Sequence, residues 1–75
     1  MRRYEAMRET FNGCAGRWQL DDTFTREMET EDVAEALQDW YRGPLPPHRW
    51  ETKDDGTLLC TFDPPCRERY RFSPF

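Results

Sequence analysis

A two-residue alternation runs through the last third of the chain and admits few folds. In "HRWETKDDGTLLCTFD", Trp50 and Thr52 alternate along an incoming segment. Asp55-Gly56 then supplies the positive φ angles of a tight turn. Leu58, Cys60 and Phe62 share one face of the returning segment, and Thr57, Leu59 and Thr61 share the other. Pro64-Pro65 breaks the run, and "CRERYRF" resumes it with Glu68, Tyr70 and Phe72 one way and Arg67, Arg69 and Arg71 the other. Strands with one apolar face need something to cover that face.

The segment between Thr30 and Gly43 supplies the cover. Val33, Leu37, Trp40 and Tyr41 fall at i, i+4, i+7 and i+8, one apolar stripe of a helix over about residues 31–42. Thr30 reads as its N-cap, and Glu31 and Asp32 put negative charge on the first turn, where the helix dipole favours it. Gly43 and Pro44 stop it, and "GPLPP" continues as an extended connector. "PLPPHR" also has the spacing of a ligand for a proline-binding groove, but a helix-to-strand connector accounts for its prolines.

The first twenty residues admit two readings. Tyr4, Met7 and Phe11 follow helical spacing, with Gly13 as a C-terminal cap. Alternatively, Asn12-Gly13 is a hairpin turn joining strands at 2–11 and 14–21. "RWQLD" reads as a short strand with Trp18 and Leu20 on one face, and "TFTREMET" carries mixed signals. The expected fold class is therefore α+β: one domain over residues 1–75, a small antiparallel sheet drawn mostly from the C-terminal half, with the 31–42 helix packed on one face. A chain of 75 residues buries a small core, and its three Trp, three Tyr and five Phe must fill most of it.

Charge is distributed unevenly. Residues 21–39 hold eight carboxylates and one base, Arg26, a local net of −7; the other residues hold seven acids and ten bases, a net of +3. On a helix, Asp32, Glu35 and Asp39 form a stripe turned away from Val33 and Leu37, with Glu31 beside it. Asp21, Asp22, Glu27 and Glu29 approach from the preceding chain. Carboxylates on such a stripe sit roughly 5–6 Å apart at Cβ, comparable to the phosphate spacing of a nucleic-acid strand. A row of this kind fits a cationic groove built for nucleic acid. The competing reading is a solvated helix face that aids solubility. Against it, like charges at i, i+3 and i+4 destabilise a helix by about 0.2–0.5 kcal/mol a pair, and few bases lie nearby to relieve them.

Other chemistries have little support. Cys14, His48, Cys60 and Cys66 have the composition of a Cys₃His zinc site but contain no Cys-x-x-Cys pair. No glycine-rich phosphate loop or Gly-x-Ser-x-Gly elbow occurs. No cofactor, metal or enzymatic activity is expected. The arginines and aromatics of "RERYRF" suggest a sheet that binds single-stranded nucleic acid, but alternation puts Tyr70 and Phe72 opposite the arginines. No apolar run is long enough to span a membrane, and no secretory h-region is present. A cytoplasmic location with reduced thiols is expected.

In length, acidity, α+β architecture and lack of catalytic motifs, the chain resembles the small acidic inhibitors carried by phages, notably the anti-CRISPR proteins. The resemblance carries over no individual residue. It implies a monomeric binder in the host cytosol that occupies a basic nucleic-acid-binding protein or effector subunit, in place of nucleic acid and without binding nucleic acid itself. Asp21, Asp22, Glu29, Glu31, Asp32, Glu35 and Asp39 are the expected contact residues from the charge pattern. The alternative is a small nucleic-acid-binding or regulatory module that uses the C-terminal arginine-rich strand.

Overall fold

The computed structural model describes residues 1–75, the side chain of Asp22 excepted. Five strands form one antiparallel sheet: β1 (Arg2–Asn12), β2 (Arg17–Thr30), β3 (His48–Thr52), β4 (Leu58–Phe62) and β5 (Glu68–Pro74). One helix, α1 (Val33–Trp40), lies between β2 and β3. The spatial order is β2-β1-β5-β4-β3. An N-terminal hairpin and a C-terminal three-strand meander therefore join along a β1–β5 seam.

The first segment is a strand, as in the hairpin reading, and helical spacing at Tyr4, Met7 and Phe11 does not prevail. Pairing explains why: β1 is hydrogen-bonded on both sides, to β2 and to β5. Ladders on both sides pair its backbone from Tyr4 to Thr10 and bury Tyr4 and Ala6, whereas a short helix without a packed stripe is marginal in water. The turn is longer than the two-residue one expected from Asn12-Gly13. The Asn12 side-chain oxygen accepts from the backbone N–H of Cys14 and Ala15, and Gly16 donates to the Asn12 carbonyl at φ +67. β2 then runs through "TFTREMET" to Thr30, so the two longest strands come from the N-terminal half and not the C-terminal one. The β1–β2 register breaks once, between Met7 opposite Thr25 and Arg8 opposite Asp21.

The helix is also shorter than its apolar stripe suggested. It starts at Val33, and Asp32, not Thr30, is the N-cap: its Oδ1 accepts from the Glu35 N–H at 3.2 Å. Thr30 acts one step earlier, as its hydroxyl accepts from the Asp32 N–H. Tyr41 closes the helix from an extended conformation and places its ring edge-on to Phe62. In the β3–β4 turn only Gly56 takes a positive φ (+88), with Asp55 accepting from the Thr57 N–H. This is a longer bulged turn than Asp55-Gly56 alone implied.

The core lies between α1 and one sheet face. Val33 and Leu37 pack on Tyr4, Ala6, Cys60, Phe62, Tyr70 and Phe72. Phe72 is flanked by Trp40 and Trp50, each stacked at 6.0 Å between ring centroids. The opposite face carries no helix. Its rows cross the sheet as Arg49-Thr61-Arg69-Glu9-Leu20 and Glu51-Leu59-Arg71-Met7-Thr25.

Candidate functional site

Five of the carboxylates singled out in the sequence come together. Glu29 and Thr30 at the end of β2, Glu31 and Asp32 in the corner, and Glu35 and Asp39 on the outer face of α1 line one open groove of about 440 Å³. The corner is tight because β2 runs into the α1 N-cap with only Glu31 and Asp32 between them. Met28, Ala36 and Trp40 give the groove an apolar lining. Among the described residues, Glu31, Asp32, Glu35 and Asp39 form no ion pair, and Glu29 meets Arg3 only at 3.7 Å between exposed side chains. An exposed contact of that length neutralises little. A second basic group, Arg26, borders the groove: its guanidinium stacks over Phe24 at 5.1 Å and Trp40 at 5.3 Å.

Asp21 does not join this cluster. It accepts from the Thr23 hydroxyl and backbone N–H and pairs with Arg8 at 2.6 Å, both side chains part-buried. The Thr23 hydrogen bond and then Arg8 hold its carboxyl below the ordinary carboxylate value. It is a structural ion pair, since a carboxylate already matched by a guanidinium has little charge left for a partner. The expected role of Asp22 falls on a side chain outside the described residues. The stripe Asp32, Glu35 and Asp39 does lie along one wall, but Asp32 is committed to capping.

The cysteines are free thiols in three settings. Cys14 is exposed in the β1–β2 turn, Cys66 is half-buried, and Cys60 is fully buried, where desolvation pushes its thiol up to about 11. Among the described residues, no group of three or more His, Cys, Asp or Glu side chains is arranged to hold a metal. Among the described residues, no helix is long and apolar enough to cross a membrane.

On the helix-free face lies a second surface, whose arginines the sequence reading named and whose rings it missed. Phe11 and Trp18 meet there edge-to-face at 5.5 Å across the β1–β2 pair. Arg69 lies over Trp18 at 4.5 Å and Arg67 over Phe11 at 5.6 Å. Glu9, largely buried, holds Arg69 at 2.8 Å and Arg71 at 3.5 Å. The alternation of "RERYRF" does turn Tyr70 and Phe72 away from the arginines. The rings beside the arginines come instead from β1 and β2, and the one signal for this was the parity of Phe11 and Trp18 about the hairpin. The chain matches no protein-family model, no curated protein and no solved structure.

Proposed function

We propose that this protein is a binding inhibitor whose acidic groove, formed by the end of β2 and the outer face of α1, docks on a cationic surface that a nucleic-acid-binding protein uses for its nucleic acid. The supporting observation is the gathering of Glu29, Glu31, Asp32, Glu35 and Asp39 around Trp40 and Met28. A carboxylate row supplies charge complementarity and rapid encounter, and a half-buried Trp beside it supplies the apolar anchor that carries affinity in such interfaces. A face that served only solubility would be interleaved with lysines, and the chain's single Lys, Lys53, lies in the distant β3–β4 turn. The resemblance in size and charge to anti-CRISPR inhibitors supports an effector subunit in the host cytosol as the partner.

The test is a gel shift in which a CRISPR effector complex binds its target DNA in the presence of the protein. The double variant Glu35→Lys/Asp39→Lys should lose inhibition by at least about tenfold, and wild-type inhibition should weaken steeply as salt rises. Asp32 is left intact because truncating the cap would cost the helix about 1 kcal/mol and confuse folding with binding. Full inhibition by a folded double variant would reduce the groove to a solvated surface.

A further inference from the structure

The helix-free face combines features that the acidic groove does not use. Phe11, Trp18, Arg49, Thr61 and Arg67 surround an open, mainly apolar slot of about 340 Å³. Two of its rings come from the N-terminal hairpin and a third, Phe62, from β4; its guanidinium groups come from β3 and the loop before β5. Arg69 does not line the slot but backs it, fixed by Glu9 and laid on Trp18. Among the described residues, Arg49 and Arg67 make no ion pair, so their charge is available. Arg67 is held in place by the Phe11 N–H, which donates to its carbonyl at 3.0 Å. The nearby carboxylates are Glu9, taken up by Arg69 and Arg71, Asp63 in the lining, and Glu51, two residues along β3 from Arg49 and 3.7 Å from Lys53.

We propose that this face binds single-stranded nucleic acid: bases stack on the Trp18–Phe11 pair, which Arg69 holds from one side, while Arg49 and Arg67 neutralise the phosphates. Guanidinium groups interleaved with aromatic rings on an open sheet are the chemistry that unpaired bases use, because each base offers a π-face and each linkage a negative charge. A duplex keeps its bases stacked inside and offers only its phosphates. An acidic peptide would use the arginines but gain nothing from the rings. The overall charge of −4 argues against nucleic acid only on average. The acidic groove lies on the helix side of the sheet, and beyond about 8–10 Å its field is screened at ordinary salt, so the local arginines decide.

The experiment measures fluorescence anisotropy of labelled oligo-rU and oligo-dT of about ten nucleotides with the whole protein. Comparison arms use a duplex of equal length and poly-glutamate. Binding should follow salt with a slope of about 0.7 per phosphate neutralised. Arg49→Ser/Arg67→Ser, which breaks no described ion pair, should weaken binding about tenfold or more while leaving the thermal melt in place. Trp18→Ala should weaken it about tenfold. Trp18→Leu, which keeps bulk on β2, should weaken it similarly, separating stacking from folding. Glu35→Gln/Asp39→Asn in the acidic groove should change nothing. Absence of binding at about 50 mM salt, indifference to the arginine pair or to Trp18→Leu, or equal binding of duplex or poly-glutamate would each overturn the proposal.

Discussion

The two faces of the sheet are ordered by different forces. On the covered face, Leu37, Phe62, Phe72 and Cys60 are almost wholly removed from water, and rings stack in a continuous series from Trp50 through Phe72 to Trp40. On the open face no second layer exists. Order comes from Glu9 clasping Arg69 and Arg71, and from guanidinium groups laid on Trp18 and Phe11. Burial of apolar area is non-directional and strong, whereas ion pairs and cation–π contacts at a half-exposed surface are directional and individually weak. The covered face therefore sets stability, and the open face can keep charged and aromatic groups in defined positions for another molecule.

The largest effect that would break this contrast lies at the covered face. Leu37→Ala should cost about 3 kcal/mol, read as a fall in the urea midpoint with an unchanged slope, because Leu37 is fully buried and the cavity cannot refill. A loss below about 1 kcal/mol would show that α1 is only loosely held. A smaller effect sharpens the description of the open face. Glu9→Gln should cost about 1–2 kcal/mol, since it removes the charge that Arg69 and Arg71 share. Arg69 has the more to lose: it lies 2.8 Å from Glu9 against 3.5 Å for Arg71, and its side chain is the more buried of the two. If Glu9→Gln is neutral, the open face owes its order to ring stacking alone.

The smallest effects concern protons and thiols. Folding holds the Asp21 and Asp55 carboxyls below their ordinary 3.8: Asp21 through Thr23 and then Arg8, Asp55 through the backbone and hydroxyl of Thr57. The unfolded chain therefore binds these protons first as pH falls. The stabilisation is complete above about pH 4 and is lost as pH drops through the lower folded values. Asp21→Asn should flatten the acid limb of a pH-melting curve and leave the neutral limb parallel to wild type. In native protein, an alkylating reagent at neutral pH should modify exposed Cys14 first and Cys60 last, because the Cys60 thiol is both shielded and pushed up to about 11. Early loss of Cys60 by mass spectrometry would mean that the covered face opens readily.

Local chemistry by itself determined much of this protein. Alternation at Leu58, Cys60 and Phe62 and at Tyr70 and Phe72 correctly set which side chains face the core, because a strand's period of two leaves no other assignment once one face is apolar. The spacing of Val33 and Leu37 set the buried side of α1, and Glu35 and Asp39 followed on the opposite side. The choice of strand for residues 2–12 was not legible, because its cause is pairing with β5 some sixty positions later along the chain. The separation of Asp21 from the other carboxylates was hidden for a similar reason: Arg8 stands directly opposite it only because the β1–β2 register shifts just before Arg8. The meeting of Phe11 and Trp18 with Arg67 and Arg69 was likewise decided by tertiary structure. Periodicity within a segment is a property of the chain, whereas the neighbour across a strand is a property of the sheet, and this sheet joins the first strand to the last.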